Sequence, residues 1–213
     1  MSKPQKIGIT QRVDKLKPLA EYRDALDQNV VKWIINAGFT PVPIPNSLVN
    51  TNLTKKSQPN LDTWLNEINI DALLLTGGND IGKVPNRDLT EHYLLKWAEK
   101  NIIPVLGICR GMQMMGVYEN IKLIKVKGHV KSHHHIYLIN DNKKMPLIVN
   151  SFHNYALEKC PDKYTILAKS EDGVIEAIKH KKLPWEGWMW HPERDESFSR
   201  NDINMYKRLL KNG

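Results

Sequence analysis

Residues 102–118 carry the clearest fold signal in the sequence: Ile102-Ile103-Pro104-Val105-Leu106-Gly107-Ile108-Cys109-Arg110-Gly111-Met112-Gln113-Met114-Met115-Gly116-Val117-Tyr118. The apolar first part, residues 102–108, predicts a buried strand, and residues 111–118 predict a helix. The two glycines that flank Cys109 have the spacing of a nucleophile elbow, a strained strand-to-helix turn that lifts one side chain out of a sheet. We therefore expect an exposed Cys109 thiol at a helix N-terminus, where the helix dipole favours the reactive thiolate.

Outward from this turn, short apolar runs alternate with longer amphipathic stretches, which predicts strands and helices alternating around a parallel sheet. Further strands are predicted at residues 6–10 and 71–76, and further helices at residues 19–36, 61–68, 89–100 and 203–210. Later apolar runs are short and β-like, at residues 123–126, 135–140, 147–149, 164–168, 174–178 and 188–190. We expect them to extend the sheet in antiparallel fashion, which gives an α/β fold with a single domain, residues 1–213.

The composition limits the class of protein. The chain has 213 residues, two cysteines and a formal net charge of +8. Sparse cysteines fit a reducing compartment, and no long apolar segment or signal peptide is recognisable, so we expect a cytoplasmic protein without membrane contact. The positive charge predicts attraction to anions. Because the lysines are spread along the chain without a recognisable helix-turn-helix or aromatic-basic RNA motif, nucleic acid is not an expected partner.

A cysteine nucleophile needs a histidine that takes its proton and a carboxylate that holds the imidazole. The segment His191-Pro192-Glu193 offers both groups, because residues two apart in an extended chain point the same way. His153 is a competing base, which the residues alone leave open. Cys160 lies in a polar turn without flanking glycines and is expected to be a bystander.

Another histidine group, His129 with the run His133 to His135, raises the question of metal binding. We expect no metal site and no cofactor, because neither cysteine is near and an alternating strand would scatter the run over two faces. A partly exposed strand is the expected structure here, and the role of the run is left open.

Negative charge that develops on a substrate carbonyl must be met by fixed donors, usually backbone N–H groups near the nucleophile. The amide of Arg110 lies at the start of the helix after Cys109, and Gly77-Gly78 closes the predicted strand at residues 71–76. Ligands of parallel sheets bind at these carboxyl ends of strands. Both positions are therefore candidates for an oxyanion hole.

Four motifs follow one another along the chain: Thr76-Gly77-Gly78-Asn79-Asp80-Ile81, Gly107-Ile108-Cys109-Arg110-Gly111-Met112-Gln113, Asn150-Ser151-Phe152-His153 and His191-Pro192-Glu193. In order and spacing they resemble the class I glutamine amidotransferase superfamily. The form of the first two motifs is most similar to its gamma-glutamyl hydrolase branch, of the peptidase C26 type, which contains gamma-glutamyl-gamma-aminobutyrate hydrolases. The resemblance implies a flavodoxin-like, mostly parallel sheet with flanking helices and an antiparallel extension.

The same resemblance implies roles for individual residues. Cys109 is the implied nucleophile that forms a glutamyl-thioester, with His191 and Glu193 completing a triad. The backbone amides of Gly78 and Arg110 are the implied oxyanion hole. The residues implied to hold the glutamyl amino and carboxylate groups are Gln113, Ser151, Phe152 and His153.

The reaction expected from this resemblance is hydrolysis of a gamma-glutamyl amide or phosphoramidate, with release of glutamate from a small molecule. The alternative is a glutaminase subunit that supplies ammonia to a separate synthase. After Asp80 the usual proline- and tyrosine-containing continuation is replaced by Ile81-Gly82-Lys83-Val84-Pro85, which leaves the leaving-group pocket open. The choice between a monomer and a homodimer is also open.

Basic residues near the motifs favour a leaving group that carries phosphate. Lys83 and Arg87 follow the Gly-Gly turn, and more basic residues follow the elbow helix, at Lys125, Lys127, Lys131 and His133 to His135. A nucleotide-linked gamma-glutamyl phosphoramidate, as in bacterial capsule phosphoramidate synthesis, is the substrate expected if this basic rim is functional.

Overall fold

A mixed β-sheet organises the molecule in the computed structural model, which describes residues 5–54, 56–139 and 147–211. The strands described are β1 (Lys6–Thr10), β2 (Arg12–Leu16), β3 (Glu21–Ala25), β4 (Thr40–Ile44), β5 (Ala72–Leu75), β6 (Val105–Ile108), β7 (Leu123–Lys125), β8 (Val130–Leu138), β9 (Ile148–Phe152), β10 (Tyr155–Leu157), β11 (Tyr164–Ser170), β12 (Ile175–His180) and β13 (Trp185–Trp188). The α-helices are α1 (Gln28–Asn36), α2 (Pro59–Ile68), α3 (Pro85–Asn101), α4 (Arg110–Tyr118) and α5 (Arg200–Lys211).

Nine of these strands form the main sheet, in the order β4-β1-β5-β6-β13-β12-β11-β8-β9. The first five are mutually parallel. In chain order they stand as 2-1-3-4-5, which is the flavodoxin-like arrangement. The strands from β12 onward are joined in antiparallel fashion. Both the parallel sheet and its antiparallel extension are therefore confirmed.

Helices cover both faces of the sheet, as burial of a parallel sheet requires. On one face, α1 and α5 bury Trp33 and Tyr206, whose rings stack with centroids 5.1 Å apart. On the other face, α2, α3 and α4 contribute buried residues that include Leu61, Leu94 and Met112. Strands β5 and β6 are buried along their whole length, which explains their continuous apolar sequence.

The predicted helix over residues 19–36 is wrong in its first half. Residues 21–25 form β3, which pairs with β2 in an antiparallel hairpin, and α1 begins only at Gln28. The hairpin turn contains Pro18 and Ala20, whose φ of 51° ends any right-handed helical path. Asp27 then caps α1 by accepting a hydrogen bond from the Asn29 N–H. The apolar periodicity on which the longer helix was based belongs to α1 alone.

The other predicted elements are present with shifted ends. Strand β8 begins five residues before the predicted strand at 135–140, whose last residue lies outside the described ranges. Of the strand predicted at 188–190, only Trp188 lies in a strand, as the last residue of β13, so this prediction is wrong for residues 189–190. In the part of the chain that the structure describes, no helix combines the length and the apolar character needed to cross a bilayer. The single-domain assignment of residues 1–213 stays a prediction.

Candidate active site at the carboxyl ends of the parallel strands

The turn after β6 has the geometry of a nucleophile elbow. Cys109 has φ 50° and ψ −103°, a left-handed backbone conformation that costs a non-glycine residue about 1–3 kcal/mol. The glycines allow the close packing around it, since a Cβ on Gly107 would lie 2.7 Å from the backbone nitrogen of Met112, and one on Gly111 would lie 2.2 Å from the Leu75 carbonyl oxygen. A larger residue at Gly107 would force β6 and α4 apart, and one at Gly111 would force α4 away from β5.

The expectation of an exposed Cys109 thiol is wrong, because the residue is only 6% exposed. Cys109 opens instead into a cavity of about 120 Å³. Its backbone N–H donates to the Trp188 carbonyl at 2.7 Å, which ties the elbow to the end of β13. Cys160 is half-buried in a turn far along the chain, and burial raises the pKa of its thiol.

Sheet register brings His191 to the cysteine. Strand β13 pairs in parallel with β6, and Trp188 lies opposite Ile108, so the segments that follow both strands leave the sheet side by side. His191 Nδ1 lies 2.6 Å from Glu193 Oε1, and both residues are almost fully buried. Burial disfavours the charged imidazolium, but Glu193 and Cys109 outweigh it and raise the pKa of His191 to about 9. The structure thus brings the three predicted residues together.

Two neighbours hold His191 in place. The Asn150 side chain donates to the His191 carbonyl at 2.8 Å and accepts from the His191 N–H at 2.9 Å. The imidazole lies against Gly77, where an added Cβ would approach His191 Cε1 to 2.5 Å. Only glycine at position 77 leaves room for the ring in this orientation.

A buried ion-pair network fixes the loop after β5. Glu91 on α3 pairs with Arg87 and with Arg110, and all three side chains are at most 1% exposed. Arg87 also donates to the carbonyls of Thr76 at 2.7 Å and Gly77 at 2.8 Å. Burial works against the charge of Glu91, but Arg110 and Arg87 together hold its pKa below the usual value. The network clamps the Gly-Gly turn beside the start of α4.

The basic rim differs from the expectation because of this network. Arg87 was predicted to be available to a substrate phosphate. It is instead fully buried in ion pairs and backbone contacts, so that prediction is wrong. Lys83 lines a different cavity, together with Tyr22 and Asn46. Two arginines line the Cys109 cavity: Arg110, whose guanidinium is held in the ion-pair network, and Arg194, whose guanidinium carbon lies 4.5 Å from the centre of the Phe152 ring.

Of the four residues predicted to bind the glutamyl end, three line the Cys109 cavity and Ser151 does not. Gln113, Phe152 and His153 line the Cys109 cavity, as do Gly78 and Arg110 of the predicted oxyanion hole. The Ser151 hydroxyl is fully buried and donates to the His129 carbonyl at 2.8 Å, so it is committed to the fold.

The alternative base, His153, has its ring directed elsewhere. Its Nδ1 lies 3.1 Å from the Tyr155 carbonyl oxygen, and its Nε2 lies 3.5 Å from Glu176. The geometry therefore favours His191 over His153 as the partner of Cys109.

Three residues near the site were not predicted from the sequence. Arg194 directly follows the His-Pro-Glu motif, and a basic residue at that point was the available signal. Glu91 stands four residues after Arg87 on one helix, a spacing that favours ion pairs. Arg12 lines a neighbouring cavity together with Gly77, Gly78 and His191, and nothing in its sequence context indicates this.

The chain is similar to several known proteins. The family model described as Peptidase C26 matches residues 6–193. The chain is 33% identical over 210 residues to gamma-glutamyl-CDP-amidate hydrolase of Campylobacter jejuni, covering 94% of this chain and 95% of the relative. It is 29% identical to one subunit of the glutamine-hydrolyzing GMP synthase of Methanocaldococcus jannaschii, covering 79% and 90% of the two chains.

Among solved structures, a candidate GMP synthase subunit of Thermoplasma acidophilum superposes with a TM-score of 0.72, covering 99% of this chain and 94% of that one. At 17% sequence identity this similarity shows the shared fold. The family match spans most of the chain, and it includes the elbow and the His-Pro-Glu segment. The chain therefore belongs to the Peptidase C26 family, within the class I glutamine amidotransferase superfamily.

Proposed function

We propose that this chain is a cysteine hydrolase that cleaves a gamma-glutamyl C–N bond and releases glutamate. The observation that carries the proposal is the position of Cys109 on a strained elbow beside the buried pair of His191 and Glu193. Nucleophile, base and orienting carboxylate within reach of one another are the requirements of covalent acyl transfer.

In the proposed first step, the Cys109 sulfur attacks the gamma-carbonyl carbon while His191 holds the thiol proton. Since His191 Nδ1 bonds to Glu193, its Nε2 is left to face Cys109 and the leaving group. The C–N bond breaks, the nitrogen takes the proton from His191, and a glutamyl-thioester remains. Water, deprotonated by His191, then attacks the thioester, releases glutamate and restores the thiol.

We assign to the backbone amides of Gly78 and Arg110, residues that line the same cavity, the role of stabilising the negative charge on the carbonyl oxygen. The ion pairs of Glu91 support this oxyanion-hole assignment, because they hold the Gly-Gly turn against α4 before substrate binds. Gln113 is assigned to the glutamyl end, with Phe152 and the ring of His153, whose two nitrogens face Tyr155 and Glu176, as walls of the cavity. Ser151 is assigned a supporting role, because its hydroxyl is already bonded to His129.

For the leaving group we propose a nucleotide-linked phosphoramidate, so that the substrate is gamma-glutamyl-CDP-amidate or a close analogue. The support is the similarity to the Campylobacter jejuni hydrolase of that name over most of both chains, together with one arginine that lines the Cys109 cavity and one that lines the cavity beside it. Arg194 lines the Cys109 cavity, and Arg12 lines the adjoining one. Guanidinium groups suit phosphate because they offer paired donors in one plane.

A comparison of specificity constants tests the substrate. We expect kcat/KM to be higher for gamma-glutamyl-CDP-amidate than for gamma-glutamyl-gamma-aminobutyrate, measured by glutamate release. Arg194→Gln should lower kcat/KM about 10-fold or more for the nucleotide substrate, the size of one charge-assisted contact, and much less for the leaving group without phosphate. Lys83→Gln is the matched control, since Lys83 faces a different cavity. Equal values for both substrates, or equal effects of both variants, would contradict the phosphate assignment.

The second candidate function is a glutaminase subunit that delivers ammonia to a separate synthase. It is favoured by the similarity to the GMP synthase subunit of Methanocaldococcus jannaschii. The purified chain distinguishes the two, because the hydrolase should release glutamate from gamma-glutamyl compounds without a partner. Glutamine cleavage that begins only when a synthase is added would support the glutaminase role instead.

A further inference from the structure

Outside the proposed active site, three histidines surround one buried carboxylate. Glu176 on β12 is fully buried, and its Oε1 lies 3.4 Å from His129 Nδ1, 3.4 Å from His134 Nε2 and 3.5 Å from His153 Nε2. The residues come from four places in the chain: the loop before β8, strand β8, the loop after β9, and β12. We define these four residues as the His3Glu cluster.

The polar atoms that face the centre of this cluster have no hydrogen-bond partner within the described part of the chain. Both carboxylate oxygens of Glu176 lack one, and so do His129 Nδ1, His134 Nε2 and His153 Nε2. Leaving a carboxylate and three imidazole nitrogens buried without bonds carries a large desolvation cost. Since the three nitrogens gather around one carboxylate, a group placed between them would satisfy them together.

The spacing identifies that group. Four ligands at the usual Zn–N and Zn–O lengths of a tetrahedral site lie roughly 3.3 Å from one another. The separations of 3.4 to 3.5 Å between the three nitrogens and Glu176 Oε1 are close to this value. The ligand atoms of His129, His134 and Glu176 all lie within 4.8 Å of one another. His153 Nε2 lies 3.5 Å from Glu176 Oε1 but outside this group of three, so the histidine ring would have to move inward to complete the coordination sphere.

The outer contacts of the histidines follow the pattern of a metal centre. A ligating histidine usually donates its second ring N–H to a carboxylate or a backbone carbonyl. His129 Nε2 lies 2.9 Å from Asp172 Oδ2, and His153 Nδ1 lies 3.1 Å from the Tyr155 carbonyl oxygen. In both residues, the nitrogen that faces Glu176 is the one left to bind a cation.

We infer that the His3Glu cluster binds one Zn²⁺ ion through His129, His134, His153 and Glu176. Three imidazoles and one carboxylate are typical zinc ligands, and four protein ligands leave no open position for catalysis. The ion therefore fastens β8, β12 and the segment after β9 together. Because His153 also lines the Cys109 cavity, the ion holds one wall of the proposed active site.

The expectation of no metal site is revised accordingly. Strand alternation does scatter the histidine run, since His133 and His135 are exposed while His134 turns inward. The missing ligands come from other strands, and a carboxylate takes the place that a cysteine would have filled. Partial exposure of His134 and a neighbouring surface cavity lined by Lys127, His129 and Asp172 give the ion a route of entry.

The test is the zinc content of the full chain, purified without a histidine tag and incubated with Zn²⁺ alone. Wild type and the control His135→Ala, on the same strand but facing outward, should each retain one zinc per chain after desalting. His134→Ala and Glu176→Gln should lose it. Asp172→Asn should retain the site with affinity for zinc lowered about 10- to 100-fold, as expected when a carboxylate that orients a ligating histidine is changed.

Two further readouts separate loss of the site from loss of the fold. Cobalt bound to wild type and His135→Ala should show the visible absorption of tetrahedral Co²⁺, which His134→Ala should lack. Chelation should lower the melting temperature of wild type but leave that of His134→Ala unchanged. His134 is partly exposed, so this variant should still unfold cooperatively. Wild type that takes up no zinc, or His134→Ala that holds as much as His135→Ala, would overturn the inference.

Discussion

The parallel and antiparallel halves of the sheet each bury one carboxylate, but the two carboxylates differ in their partners. In the parallel half, Glu91 is bonded to Arg87 and Arg110, which in turn bond to backbone carbonyls of the loop after β5. In the antiparallel half, Glu176 is just as deeply buried, yet neither of its oxygens has a hydrogen-bond partner among the described residues. One half pairs its buried carboxylate with arginines, and the other surrounds it with three histidine nitrogens that we infer to be zinc ligands.

The difference follows from what each half must do. A parallel sheet places loop and helix starts at one edge, and a nucleophile there needs fixed donors around it before substrate binds. Arginines hold those donors in place from within the chain. The antiparallel extension contains β8, most of whose residues are exposed or only partly buried, so less core is available to fix the loops beside that strand. A bound ion is an alternative way to fasten such strands together.

The largest effect is expected from replacing Cys109, which would show that catalysis takes place at the parallel half of the sheet. Cys109→Ala should lower kcat about 10⁴-fold or more, because the members of a nucleophile-base unit fail together, while Cys160→Ser should leave kcat unchanged. Glutamate release from a gamma-glutamyl substrate measures both. Thermal unfolding should show both variants folded, because the elbow depends on glycine packing and not on sulfur. Loss of activity in Cys160→Ser would move the nucleophile out of the parallel half.

The next effect concerns the stability of the arginine network. Glu91→Gln should lower the free energy of unfolding by about 3–5 kcal/mol, because it leaves two buried arginines without their shared partner. Glu21→Gln is the matched control, since the ion pair of Glu21 with Arg23 is exposed and should contribute little. Denaturant unfolding measures both changes. Equal midpoints for the two variants would show that the network is not a stabilising feature of the parallel half.

A smaller effect is expected in the pH profile of the reaction. His191 has its pKa raised to about 9, with Glu193 as the main charge that raises it against burial. Its protonated form therefore predominates below pH 9, and kcat/KM should fall as pH rises through about 9, where the leaving group loses its proton donor. Glu193→Gln should move this fall toward the ordinary histidine value near 6.5 and lower the rate at about pH 8 roughly 10- to 100-fold.

The control for that profile is Glu196→Gln, a carboxylate three residues further along that is exposed. It should leave the alkaline fall where it is in the wild type. Arg194 lies 3.8 Å from Glu193, so its substitution should move the fall only slightly. An unchanged profile in Glu193→Gln would show that another group sets the charge of His191.

Some of this molecule follows from local sequence alone. The apolar runs of β5 and β6, the glycines around Cys109 and the helical spacing of α1 and α5 each depend on residues close in the chain, and each is present. The helix predicted over residues 19–36, which is wrong in its first half, shows the limit of such local patterns. A hairpin and a helix lie in succession there, and one proline and one left-handed alanine interrupt the helical path before α1.

The parallel sheet and the elbow could be predicted from local patterns, whereas the flavodoxin-like arrangement and the grouping of Cys109, His191 and Glu193 were implied by the resemblance of the motifs. The three residues lie together because each follows the carboxyl end of a strand in one parallel sheet. Where the charged side chains are buried depends instead on contacts between segments that are distant in the chain. Arg87 was predicted near the surface but lies in the interior, because Glu91 and two backbone carbonyls accept hydrogen bonds from its guanidinium group. Glu176 had no signal at all, because His129, His134 and His153 come from other segments of the chain and surround it only when strands β8, β9 and β12 assemble.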